Sequence, residues 1–208
     1  MDSHLIVLVT VAAVWLTAGI VAEGMPRLHR AYTLRRRVHW LFALTLAGLG
    51  LTGGVLMAGL QSPGSAPVDR AAAGLALATV PALVVAVCTV RRLRRLSAGA
   101  AAFAAAPRTP APHGLRAAAA HPLIGLPLQA TGLATVVGVF SVNGFGLLAG
   151  AGLTGPAVTV GLLVVTAIAV RHSLRHSRLA ERAVAEPDAG APAEPVLTSP
   201  RTPDALHV

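Results

Sequence analysis

Apolar residues along this chain gather into long runs that are separated by short, polar, arginine-rich segments. Five runs have about the 20 residues that an α-helix needs to cross a hydrocarbon core of roughly 30 Å. They occupy residues 5–22, 40–60, 71–90, 123–142 and 150–170. The pattern predicts an all-α fold, a polytopic transmembrane helix bundle with five spans.

The last two spans are predicted from length, because residues 122–170 contain no charged side chain. These 49 residues would extend well beyond two hydrocarbon thicknesses as one helix, so they fit two crossings. The turn between the crossings is expected where polar and flexible residues cluster, around Ser141, Asn143, Gly144 and Gly146.

The arginines predict the orientation, because Arg and Lys accumulate in loops that stay in the cytoplasm. With five crossings, 16 of the 17 arginines fall on one side of the membrane, and Arg70 is the exception. The N-terminus is therefore predicted outside and the C-terminus in the cytoplasm. The basic residues are all arginine, which resembles GC-rich bacterial codon usage and favours a bacterial cytoplasmic (cell) membrane.

Composition supports a membrane protein and argues against a nucleic-acid-binding protein. Charged residues make up 12% of the chain, against about 25% in soluble domains. A net charge of +9 raises the possibility of nucleic-acid binding, but the positive-inside distribution already explains it, and aromatic residues for base stacking make up only 3%. The predicted partners are a bilayer with anionic headgroups at the cytoplasmic face and no nucleic acid.

The parts outside the membrane are predicted to be small. Residues 1–183 form the transmembrane domain, with a proline-containing cytoplasmic loop at 91–122, and residues 184–208 form a disordered cytoplasmic tail. Neither segment offers a catalytic domain, and no catalytic motif is recognisable. Cys88 is the single cysteine, so no disulfide within the chain is expected.

Polar chemistry within the predicted spans is sparse. Glu23, at the cytoplasmic end of the first span, is expected to pair with Arg27 at i+4 spacing. Gln129 is expected to form a hydrogen bond between helices. A transporter that moves charge is difficult to build from these residues.

The second span carries a packing signal. Small residues recur at spacings of four, three, four and four, which lines them along one helix face: Ala43, Ala47, Gly50, Gly54 and Ala58. Small faces let helix backbones approach closely in lipid. Such a face serves either packing inside the bundle or contact with a partner subunit, which includes a second copy of the chain.

Two histidines stand at the cytoplasmic ends of spans, His39 before the second and His121 before the fourth. The other six histidines are assigned to tails and loops. Two imidazoles that face each other across a bundle can ligate a haem iron, and adjacent arginines can pair with the propionates.

The stretch Arg37-Val38-His39-Trp40, continued by an apolar run to Leu51-Thr52-Gly53, resembles the first helix of bacterial b561-type cytochromes. That resemblance implies a haem ligand at His39, for which His121 is the available partner. Ala12-Ala13-Val14-Trp15-Leu16 with the following span is similar to copper-resistance-type integral membrane proteins.

Three functions follow as hypotheses. The leading one is a small, non-enzymatic multi-pass membrane protein that acts as a partner or assembly subunit, with no cofactor and no metal expected. The second is a single-haem b electron-transfer subunit that uses His39 and His121. The third is a small-molecule permease.

Overall fold

The computed structural model describes residues 3–62, 64, 67–103, 109–143 and 156–185. Within these residues the chain is helical apart from turns and one isolated bridge between Arg30 and Pro110. Seven α-helices are present there: α1 (Ser3–Gly24), α2 (Ala31–Leu60), α3 (Pro67–Val84), α4 (Val90–Phe103), α5 (His113–Ala119), α6 (Pro122–Val142) and α7 (Pro156–Ala185). A 3₁₀ turn, Met25–Arg27, follows α1, and a π-helical turn, Val85–Thr89, joins α3 to α4.

Four helical stretches are long and apolar enough to cross a membrane. They are Ser3–Arg27, Ala31–Leu60, Pro67–Phe103 and His113–Val142, and each contains one of the first four predicted spans. The all-α class is thereby confirmed, and the helices are those of a chain that could cross a membrane several times. Most of the fifth predicted span lies in α7, while its start, the glycines of the predicted turn and residues 186–208 lie outside the described residues.

Two helices continue beyond the predicted span boundaries. α2 begins at Ala31 rather than residue 40, and the segment predicted as a loop at 91–122 contains α4 and α5. Arginine is a good helix former, so the basic segments extend the helices out of their apolar parts. α4 is also held by an apolar face, because Leu93, Leu96 and Ala100 are buried. Hydropathy alone detects only the apolar part of such helices.

Proline positions explain several helix boundaries and one unusual contact. Pro67, Pro122 and Pro156 each begin a helix, where the missing N–H costs nothing. Pro127 lies inside α6 and cannot donate to the carbonyl of Leu123 one turn earlier. The buried hydroxyl of Thr89, in the π-helical turn, donates to that carbonyl at 2.8 Å. The hydrogen bond missing within α6 is thus replaced from a neighbouring helix.

The centre of the bundle is α6, which packs most extensively against α1 and α3. Glycines allow the closest approach: the backbone of Gly138 lies directly against the backbone of Gly74, where a Cβ atom would overlap the Gly74 carbonyl. Trp15 of α1 is fully buried and joins α1 to α2. Its indole N–H donates to Thr52 Oγ1 at 3.0 Å, and its ring lies against Gly48.

At the end of the bundle that carries the first arginine cluster, a short extended contact positions α5. The Ala31 N–H donates to the Thr109 carbonyl at 3.0 Å, and the Ala111 N–H donates to the His29 carbonyl at 2.7 Å. This holds α5 beside the turn that follows α1. α5 in turn packs against α7 through a small apolar cluster of Ala117, Ala120 and Leu179. The ends of α1, α5 and α7 therefore meet in one region.

Candidate functional site

The small residues of α2 lie on the outside of the protein. All five of the predicted packing residues are exposed, and we call them the α2 small-residue face: Ala43, Ala47, Gly50, Gly54 and Ala58. A Cβ atom added to Gly50 or Gly54 would meet nothing within 4 Å. Within the described part of the chain, no helix covers this face.

Other glycines of the same helix make the internal contacts. A Cβ atom at Gly48 would lie 2.9 Å from the Trp15 ring, and one at Gly59 would meet Ala72 of α3. α2 therefore turns one set of small residues inward for its own bundle and a second set outward. Only 22% of its most apolar stretch is buried, compared with 39% for α1 and 44% for the stretch containing α6. In the described part of the chain, the outward set of small residues takes no part in the packing of the bundle.

Aromatic and basic side chains extend the same face at the start of α2. Tyr32, Arg36 and Trp40 are exposed there, and they line an open surface cavity of about 510 Å³ together with Arg35, His39 and Ala43. Tyr and Trp are enriched where membrane helices meet the headgroup region. The outward surface of α2 thus consists of an amphipathic end followed by a line of small residues.

A polar cluster joins α1, α6 and α7. The carboxylate of Glu23 forms ion pairs with Arg171 and with Arg175, the latter at 3.5 Å. It also accepts a hydrogen bond from the Gln129 side-chain amide at 3.4 Å. The other end of that amide, Gln129 Oε1, lies 3.3 Å from His172 Nε2.

This cluster confirms one expectation from the sequence and changes two others. Gln129 does bond between helices, as predicted. Glu23 pairs with arginines of α7, almost 150 residues further along the chain. Arg27, in the 3₁₀ turn after α1, is not among its described partners. His172 belongs to neither a tail nor a loop, because α7 continues to Ala185 and carries it into the cluster. Spacing along one helix could not reveal a contact supplied by another.

His172 is buried with its ring against Gly125 of α6. Burial lowers the pKa of His172, and the cation of Arg175 adds to this effect; Glu23 acts in the opposite direction, and Arg171 lowers the pKa further. The folded chain therefore disfavours the protonated imidazole. Gly125 has no side chain, which leaves the space that this ring occupies.

We expect acid to weaken the folded state through His172. Because its pKa is lower in the folded chain than its ordinary value of about 6.5, the unfolded chain binds the proton more tightly, and stability falls as the pH drops below that value. Melting temperatures in detergent between about pH 8 and pH 5 measure this slope. His172→Gln should flatten it, whereas His29→Gln, at an exposed position, should not. Equal slopes for His172→Gln and the wild type would contradict the assignment.

The two histidines predicted as haem ligands make contacts with different neighbours. His39 is exposed, and its Nε2 lies 3.1 Å from Ser97 Oγ of α4. His121 caps α6, where its Nδ1 accepts from the Leu123 N–H at 3.2 Å, and its ring lies 4.8 Å from the His176 ring of α7. No described contact joins His39 to His121.

The bond at His121 also determines which ring nitrogen carries the proton. Nδ1 accepts the hydrogen bond from Leu123, so the proton of the neutral ring is on Nε2. In this state neither ring nitrogen has a free lone pair, which is what an iron ligand requires. The single-haem function stays a prediction that rests on the sequence resemblance.

Comparison with protein-family models, with curated proteins and with solved structures finds no match for this chain.

Proposed function

We propose that this chain is a multi-pass protein of a bacterial cytoplasmic membrane, with five spans, an outside N-terminus and a cytoplasmic C-terminus. Four described helices of sufficient length and apolarity support the membrane location. The distribution of arginines supports the orientation, because five crossings place 16 of 17 on the cytoplasmic side. Within that membrane, the proposed role is that of a partner subunit, which binds a transmembrane helix of another protein.

The observation that carries this proposal is the exposure of the α2 small-residue face. In lipid, helices associate through van der Waals packing and not through the hydrophobic effect, so contact depends on how closely backbones approach. Gly50 and Gly54 leave the α2 backbone open at the surface along this line. A single transmembrane helix that packs there would gain the close contact that Gly48 and Gly59 already provide on the inner side.

The aromatic and basic end of α2 supports the same role. Trp40 is 59% exposed and Tyr32 is 51% exposed, next to the exposed Arg36. Aromatic residues and arginine are enriched at protein interfaces, where they contribute a large share of the binding energy. A partner helix that runs along α2 would meet this anchor at one end and the small residues over the rest of its length.

Site-specific photo-cross-linking in intact membranes tests the proposal. A cross-linking residue at position 47 or 54 should give a discrete protein adduct, whereas one at exposed Leu83 of α3 should give none. Gly50→Leu combined with Gly54→Leu should abolish the adduct from position 47, because bulky side chains separate the backbones. Gly161→Leu is the matched control, since its side chain would also enter open space but on α7.

The outcomes separate the alternatives. Loss of the adduct in the α2 double variant alone supports the partner role, and the mass of the adduct distinguishes another protein from a second copy of this chain. A protein recovered only as an uncross-linked monomer from both α2 positions would contradict it. So would an adduct that survives unchanged in the double variant.

A further inference from the structure

A second surface of the protein, which shares no residue with α2, is strongly basic. A cavity of about 290 Å³ lies where the ends of α1, α5 and α7 meet. Its basic residues come from three separate segments of the chain: Arg27, His29, Arg116, Arg175, Arg178 and Arg182. Pro26 and Leu179 complete the lining, and no carboxylate is among these residues.

Two of the arginines are held in place by the fold. Arg116 Nε donates to the Pro26 carbonyl at 3.2 Å, which anchors the side chain of α5 to the turn after α1. Arg175 is 3.5 Å from Glu23 in the polar cluster. These bonds fix two guanidinium groups at the wall of the cavity before any ligand arrives. Pre-organisation of this kind reduces the entropy lost on binding.

The α7 side of the cavity has an excess of like charge. Arg175, Arg178 and Arg182 follow one another at spacings of three and four, which places them on one helix face. Like charges at these spacings repel one another. Glu181 is exposed on the same helix but does not line the cavity, and Glu23 is already shared by Arg171 and Arg175. An anion in the cavity would relieve this repulsion.

We propose that this cavity binds a phosphate group, supplied by the headgroup of an anionic phospholipid or by free phosphate. Arginine presents several N–H donors in a planar fork that matches the oxygens of a phosphate. Basic pockets between the ends of transmembrane helices are suited to phospholipid headgroups. The volume is near the lower end of the range for small-molecule sites and is appropriate for one headgroup.

Native mass spectrometry of the full chain in mild detergent tests the proposal. Phosphatidylglycerol should remain bound at a tenfold or greater excess over phosphatidylcholine, whose headgroup carries no net charge. Arg178→Gln combined with Arg182→Gln should weaken phosphatidylglycerol binding by about tenfold or more, because each removes charge-assisted hydrogen bonds. Both residues are exposed and have no described ion pair, so the variant should fold normally.

Arg35→Gln combined with Arg36→Gln is the matched control. It removes the same charge from an exposed arginine pair on α2 and should leave phosphatidylglycerol binding within about twofold of the wild type. Equal losses in the two double variants, or no loss in Arg178→Gln with Arg182→Gln, would overturn the proposal, since charge in general would then explain binding.

Inorganic phosphate added to the same samples distinguishes the two sources. If millimolar phosphate displaces phosphatidylglycerol from the wild type, the phosphate group alone is sufficient and free phosphate is a ligand. If it does not, the lipid headgroup is the ligand. Both outcomes support the site when the Arg178→Gln, Arg182→Gln variant has lost binding, and neither depends on the partner role of α2.

Discussion

Gly138→Ala is expected to destabilise the folded protein by about 3 kcal/mol or more. The added Cβ atom would overlap the backbone carbonyl of Gly74, and a backbone group cannot move aside by changing rotamer. α3 and α6 would have to separate, although theirs is the most extensive helix contact in the described part of the chain. Unfolding in mixtures of detergent and sodium dodecyl sulfate measures the loss.

Gly53→Ala is the control for this change. Its Cβ atom would meet nothing within 4 Å, so the same chemical substitution should leave stability within about 0.5 kcal/mol of the wild type. If Gly138→Ala and Gly53→Ala unfold at the same fraction of sodium dodecyl sulfate, α3 and α6 do not approach each other as closely as described.

Trp15→Ala should have the second-largest effect, a loss of about 3 kcal/mol. The indole ring is fully buried and its removal leaves a cavity between α1 and α2. In soluble proteins such changes cost about 3–5 kcal/mol, and lipid lacks the part that arises from transfer out of water, so the lower end applies.

The same variant series separates packing from hydrogen bonding. Trp15→Phe keeps most of the ring but loses the bond to Thr52, and should cost about 1 kcal/mol. Trp40→Phe, at an exposed position, should cost almost nothing and leaves Trp15 as the only tryptophan to report unfolding by fluorescence. A Trp15→Ala protein as stable as Trp40→Phe would contradict the buried position of this side chain.

Hydropathy was sufficient to predict the long apolar helices, but not where they end and not the helices of the predicted loop at 91–122. The first span is predicted at 5–22 and lies within α1, and the fourth, predicted at 123–142, nearly coincides with α6. α5 was not predicted because it has only seven residues and contains no apolar run long enough to cross the lipid. Such a helix is stabilised by its neighbours, which a hydropathy pattern does not contain.

The α2 small-residue face could be predicted only in part, for a different reason. The spacing from Ala43 to Ala58 places these small residues along one face of α2, but whether that face points into the bundle or away from it could not be deduced from the sequence. A helix that is apolar on all sides has no polar face to mark its outside. The bonds of Glu23 and Thr89 were also beyond sequence analysis, because each links residues that are far apart in the chain.

The contacts of α7 indicate which part of the protein unfolds first. α1, α3 and α6 are joined by close backbone packing. α7 is joined to α1 by the ion pairs of Arg171 and Arg175 with Glu23, to α6 by His172 and to α5 by a small apolar cluster, and it leaves Leu162 and Leu163 exposed. Free energies of local opening differ between parts of one protein and are lowest where few buried apolar contacts hold an element. α7 is thus the element that should undock first, while α1, α3 and α6 stay assembled. Because ion pairs contribute to this attachment, salt and acid would weaken it before they affect the rest of the bundle.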